Sequence, residues 1–164
     1  MRCLLKPEHR GLCAETELLL MMASRAQLVR ERILPALAIG EWVVADRFTD
    51  ASFAYQGSAV AALIADALPN WNDGRRDIQP DLSFLLDLPV ADGLKRASGR
   101  GAPDRIESES VHFFERVRDA YRQRAAQDPI RWRVIDASQA ADVVAAEVIA
   151  ALVAFLASRS EVSS

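Results

Sequence analysis

Lysine, cysteine and histidine are scarce in this chain, and each shortage closes off a kind of chemistry. Lys6 and Lys95 are the only lysines among 164 residues, and every other basic side chain is arginine. Neither lysine follows a glycine, so these residues contain no Gly-x-x-x-x-Gly-Lys-Ser/Thr phosphate loop. The two cysteines, Cys3 and Cys13, lie near the start, and the two histidines, His9 and His112, are far apart. No Cys/His cluster has metal-ligand spacing, and two thiols without a framework read as reduced cysteines of a cytoplasmic protein. Net charge is −3, so general attraction to nucleic acid or to a membrane surface is not expected. No uninterrupted apolar run reaches the ~20 residues of a bilayer span. The opening "MRCLLKPEHRG" has an acidic residue and a proline and lacks the long apolar core of a signal peptide.

What is present is an ordinary globular balance, 51% apolar and 26% charged, which suits one domain with a single core over residues 1–164. The segment "TELLLMMASRAQLVRERILPALAIG" carries helical spacing through Leu18, Leu19, Met22, Ala26, Val29, Ile33 and Leu37. Thr16 is its expected N-cap, Pro35 a kink in the last turn and Gly40 its stop. "WVVAD" is too continuous to be half-exposed and reads as a buried parallel strand. "SAVAALIADAL" reads as a helix ended by Pro69, "NWNDGRRDIQP" as loop, and "DLSFLLDLP" as a second buried strand. "VADGLKRAS" is a helix leading into "GRGAPDR". A long amphipathic helix is expected from Glu107, starting around Ser108, then a strand "RWRVIDA" and a closing helix, with a disordered tail at 160–164. Strands alternating with helices predict an α/β fold with a parallel sheet.

In such sheets ligands bind outside the carboxyl ends of the strands. Asp46 and Arg47 stand at such an end. The carboxylate would face a bound Mg²⁺ or its water shell, and the guanidinium would grip a phosphate with two parallel bonds. A surface ion pair, or Asp46 as a helix N-cap, fits the same spacing. The arginine bias itself follows either from a GC-rich genome or from a site that holds phosphate with planar forks. Arg25, mid-helix among apolar residues, is either a snorkelling side chain or ion-pair partner, or a donor reaching into a pocket toward a ligand carbonyl or phosphate. The loop "KRASGRGAPDRIE" groups Arg96, Arg100 and Arg105 with two glycines, either as a solvated loop or as a lid that brings positive charge onto a polyphosphate. Ser52, Tyr55 and Gln56 could line a base pocket, or belong to a helix that packs Phe53 inward.

These pieces occur in one order, "ETELLLMMASRAQ", "EWVVADRFTDASFAYQG", "PDLSFLLDLPV", "GLKRA", "DRIE", "FFERVRDAYRQRAAQDP" and "VIDAS", and in that order the chain resembles the bacterial thymidylate kinase family. The resemblance implies a three-layer α/β/α phosphate-loop kinase fold with a parallel sheet, and transfer of the γ-phosphoryl of ATP to dTMP, giving dTDP, with Mg²⁺. It implies that Arg47 binds the dTMP phosphate and that Asp46 organises the metal and phosphate network, through water rather than as a direct ligand. Arg25 would bond the thymine edge, and Ser52, Tyr55 and Gln56 would line base and sugar. Arg96, Arg100 and Arg105 would form a lid over about 96–107, with Arg100 closest to the transferring phosphate. Asp136 and Ala137 would approach adenine. The resemblance also implies a homodimer through the helices near Arg25 and Ser58, which the apolar stripe here permits.

Three departures from the family's pattern stand out. Met21 takes the place of a phenylalanine that stacks on thymine, packing through sulfur instead. "SAVA" follows Gly57 where glycines and an arginine are usual. Pro69 interrupts the helix that follows. The family's phosphate-loop strand and loop have no counterpart in the text, so the resemblance implies a chain truncated at the N-terminus, inactive alone and poorly stable. In that case the strands flanking the gap would be left with open edges or would pair directly with each other. Two other readings remain beside the enzyme: a non-catalytic remnant that binds dTMP or a partner, and a different phosphate-loop deoxynucleoside kinase.

Overall fold

The computed structural model describes residues 13–56, 78–97 and 110–162. The expected helix "SAVAALIADAL", the loop 70–77, most of the lid including Arg100 and Arg105, and the expected helix start at Glu107 and Ser108 lie outside the described residues. The backbone forms two compact units: the described residues 13–56 and 78–79 belong to the first, and 80–97 and 110–162 to the second.

The first unit is helical. α1 (Ala14–Leu28) is followed by a π turn (Val29–Ile33) and α2 (Leu34–Ala38). Its start differs from expectation: Cys13 holds the N-cap position, with no side-chain cap bond, and Thr16 lies inside the first turn, where its Oγ1 sits 3.1 Å from the Cys13 Sγ. A π turn precedes Pro35, which stands at the second position of α2. Proline has no N–H to give to the carbonyl four residues back, and the wider turn lies immediately before α2. Gly40 ends the helix as its type predicts. Its φ is +79°, its N–H donates to Leu37 O at 3.0 Å, and Glu41 N–H reaches back to Ala36 O at 2.9 Å. That double bond is a Schellman stop, which requires a left-handed residue. α3 (Thr49–Gln56) packs against α1. Leu18, 2% exposed, and Ala54 are buried, and so are the polar residues Glu17 and Asp50.

The stretch Trp42–Ala45 corrects the sequence reading. It belongs to no ladder among the described residues and is exposed, Val44 at 95%. Its β-branched run still encodes strand propensity, but a ladder needs a second backbone beside it.

The second unit carries the sheet. β1 (Ser83–Asp87) and β2 (Trp132–Asp136) pair in parallel, with Ser83 opposite Trp132 and Asp87 opposite Asp136. This is the only sheet among the described residues. Between the strands run α4 (Val90–Ala97) and α5 (Val111–Gln127), and α6 (Ala141–Val162) follows β2. α5 starts later than expected: Ser110, not Ser108, is its N-cap, accepting from Phe113 N–H at 3.2 Å. It packs on both strands and buries Val117 and Ala125. α6 packs on β2 and continues through Ser160–Val162, past the start of the expected tail. Averaged over Ala141–Arg159 it is long and apolar enough to cross a membrane, by length and composition alone, although Asp142 and Glu147 interrupt the run. This qualifies the sequence reading. The helix packs on β2, yet Ile149 at 61% and Val153 at 58% stay exposed.

Arg131 ties the amino ends of the two strands together. Its backbone N–H and Nε donate to Asp128, its Nη1 donates to Ser83 Oγ at 3.1 Å, and its guanidinium lies 5.0 Å from the Trp132 ring centre. With that end fixed, the carboxyl ends deliver Asp87 and Asp136 side by side.

Candidate functional site

In the first unit the expected residues gather on one turn. The extended segment ends at Asp46, and Arg47 then takes a left-handed backbone, φ +57°, the sole non-glycine to do so among the described residues. Such a conformation is rare for a residue with a Cβ and is found where surrounding contacts impose it. Tyr55, two turns along in α3, lies under the Arg47 guanidinium at 5.5 Å. Arg25, from α1, donates its Nη2 hydrogen to the Phe48 carbonyl at 3.1 Å and stacks over the Phe48 ring at 5.6 Å. Arg25 is therefore neither a snorkelling side chain nor remote from the Asp-Arg pair. Its i−4 neighbour on the helix, Met21, is half-buried on the same face. Asp46 is exposed and stands three residues before α3, so it is not that helix's N-cap. Thr49 Oγ1, two residues after Arg47, is buried and has no hydrogen-bond partner among the described residues. Ser52 and Gln56 lie on α3, and their side chains are outside the described residues.

In the second unit the carboxyl ends of the strands form another group. Asp87 is clamped by Arg118 of α5 through two parallel bonds, Nε to Oδ1 at 2.7 Å and Nη2 to Oδ2 at 2.8 Å, with Arg122 at 3.8 Å. The Arg118 bonds hold the Asp87 carboxyl below its ordinary range, against the opposing effect of burial, and the same pairing raises the Arg118 guanidinium further. Asp136 accepts from the hydroxyl of Ser138 at 2.6 Å and from its backbone N–H at 2.9 Å, which lowers its carboxyl as well. The resulting turn presents the carbonyls of Ala137 and Ser138, and Arg96, at the end of α4, donates to both, at 2.9 and 3.3 Å. Arg96, expected in the lid, and Ala137, expected on the adenine side, are thus joined directly, and Asp136 is linked to them through Ser138. The sequence reading missed Asp87 and Arg118. The signal was available: "SFLLD" ends in a carboxylate just as "WVVAD" and "RWRVID" do, and the rule that singled out Asp46 applies equally to Asp87.

The described residues hold no group of three or more His, Cys, Asp or Glu side chains that could cage a metal ion. Mg²⁺ needs no such cage, since it keeps several waters and takes one or two carboxylates together with phosphate oxygens. Asp46 fits that limited part. A polyphosphate fits less well, because these residues supply no glycine-lysine cradle.

The family model described as thymidylate kinase matches residues 1–148. The thymidylate kinase of Cupriavidus necator is 50% identical over 133 residues, covering 80% of this chain and 64% of that protein. That of Thiobacillus denitrificans is 52% identical over 142 residues, covering 85% of this chain and 69% of the relative. The crystal structure of thymidylate kinase from Ehrlichia chaffeensis superposes with a TM-score of 0.61 at 29% identity, covering 87% of this chain and 66% of that one. The chain thus spans roughly two thirds of the length of the relatives it matches. With its α/β architecture, its parallel strands, a family model that matches residues 1–148 and about half its matched residues identical to the Cupriavidus necator and Thiobacillus denitrificans proteins, the chain belongs to the thymidylate kinase family.

Proposed function

We propose that this chain provides the dTMP-binding side of a thymidylate kinase, working in the cytoplasm, which transfers the γ-phosphoryl of ATP to dTMP and releases dTDP. The observation that carries the reading is the convergence of Arg25, Arg47 and Tyr55 on one turn, in a chain whose relatives carry that name. Arg47 offers a planar fork matched to the phosphate of dTMP. Arg25 supplies donors for a thymine carbonyl, with Met21 packing beside the ring, and Ser52, Tyr55 and Gln56 belong to the base and sugar pocket by family position. Asp46 holds the water shell of Mg²⁺, which neutralises charge on the phosphates when bound. Arg96 positions the 137–138 turn, where adenine is expected. Arg100 and Arg105 are assigned to the lid by resemblance, and a homodimer through the helices near Arg25 by the same argument.

These 164 residues contain no lysine-bearing phosphate loop, and positioning of the β- and γ-phosphates supplies much of the rate in phosphoryl transfer. That favours a second reading for the isolated polypeptide, dTMP binding without turnover. Calorimetry on the 164-residue chain should detect dTMP binding, and a coupled ADP-release assay should show no dTMP-dependent turnover. Failure to bind dTMP sinks the proposed function; turnover at ordinary kinase rates sinks the second reading.

A further inference from the structure

Arg47 has a backbone conformation that its own side chain disfavours, so something outside it must hold the turn. The residue immediately after it is tied twice. The Phe48 carbonyl accepts the Arg25 Nη2 hydrogen at 3.1 Å and the Ala51 N–H at 3.3 Å, the first from α1 and the second from the opening turn of α3. The Arg25 guanidinium also covers the Phe48 ring, so both the backbone and the side chain of Phe48 are fixed from α1. Arg47 itself is held at its far end by the Tyr55 ring. The buried Thr49 Oγ1, without a hydrogen-bond partner among the described residues, follows in the same turn.

We propose that Arg25 is a positioning residue for the phosphate grip of Arg47, acting through the Phe48 carbonyl, and not solely a reader of the base. The inference rests on the dTMP-binding reading above and assigns Arg25 a second task within it. Without the α1 anchor Phe48 keeps only the Ala51 bond at its carbonyl and loses the cover on its ring, the residue that follows Arg47 is no longer fixed from α1, Arg47 relaxes toward extended backbone, and its fork leaves the line of the phosphate. Lysine cannot take the place of arginine here. It has the charge but neither the planar fork that aims a donor at a carbonyl nor the flat face that stacks on Phe48.

Thymidine and dTMP differ only in the phosphate, so the ratio of their affinities for the 164-residue chain measures the grip by itself. For Arg25→Lys we expect that ratio to fall about tenfold, because small misplacements of a positioned group are costly. If Arg25 touches only the base, both affinities fall by the same factor and the ratio is unchanged, which overturns the proposal. A ligand-free measurement accompanies it: the backbone carbon chemical shifts of Arg47 distinguish left-handed from extended φ. They should move toward extended values in Arg25→Ala and in Arg25→Lys, and unchanged shifts in both variants refute the positioning role. Should the unaltered chain bind neither ligand, the dTMP reading fails, and the chemical shifts still decide whether Arg25 holds the turn.

Discussion

Replacing Arg118 of α5 by methionine keeps an unbranched stem of similar length and removes the clamp on Asp87. The clamp consists of two charge-assisted bonds, at 2.7 and 2.8 Å, to a carboxylate that is 13% exposed, from a guanidinium that is 29% exposed. A hydrogen bond to a charged group contributes roughly 1.5–3 kcal/mol. The two bonds here share one partly hydrated pair and do not add in full. Loss of Arg118 leaves Asp87 with Arg122 at 3.8 Å and directly opposite Asp136 on the neighbouring strand. Like charges facing across a ladder repel. The expected cost is about 2 kcal/mol at pH 7, below the upper range for breaking a buried pair because both groups retain some water. Asp87→Ala should cost less, since Arg118 can then turn to solvent. Urea unfolding followed by circular dichroism would show the Arg118→Met midpoint falling by about 1 M. The pH dependence has a definite sign. Asp87 is held below its ordinary value in the folded chain, so the stabilisation is complete above the unfolded carboxylate's pKa of about 4. It is lost as the pH falls from there through the depressed folded value. The gap between the parent and Arg118→Met should therefore narrow below pH 4. A gap under about 0.5 kcal/mol at pH 7, within the range of ordinary surface substitutions, or one that does not narrow in acid, would refute the reasoning.

Other outcomes follow from single contacts. Gly40→Ala meets no atom within 4 Å of the added Cβ, so its cost is the left-handed backbone alone, about 1 kcal/mol in a urea titration. Ser110→Ala removes the acceptor for Phe113 N–H and should lose about 1 kcal/mol, with faster amide exchange confined to the first turn of α5. Ser138→Ala deletes the shorter of the two bonds to Asp136, and the carboxyl should titrate closer to its ordinary value in an NMR pH series.

Much of the fold was legible because it depends on local pattern. The helix spanning α1 and α2, its glycine stop, the two paired strands and the alternation that makes the sheet parallel all follow from spacing and residue type. The helix starts were less legible. Thr16 and Ser108 carry the right hydroxyl, but Cys13 holds the cap position of α1 and Ser110 that of α5. A cap is fixed by where the chain turns, and several nearby residues can fill it chemically. At the candidate site, Arg25, Arg47 and Tyr55 were named from the text. That Arg25 grips a backbone carbonyl beside Arg47 was not, because a contact across 23 positions leaves no trace in spacing. Arg96 was read as a cation for phosphate, and its two carbonyl partners lie 41 and 42 residues away.

The sequence by itself determined which segments are helical, which runs favour extended backbone, and which carboxylates and guanidinium groups stand at their ends. Those properties depend on each residue and its near neighbours. Only the tertiary structure decided that "SFLLD" finds a ladder partner while "WVVAD" has none among the described residues. It also decided that Arg118 closes on Asp87 and that Arg47 is held left-handed between α1 and α3. A hydrogen bond or a strained dihedral exists only once distant parts of the backbone are brought within about 3 Å, and the order of the residues does not record that distance.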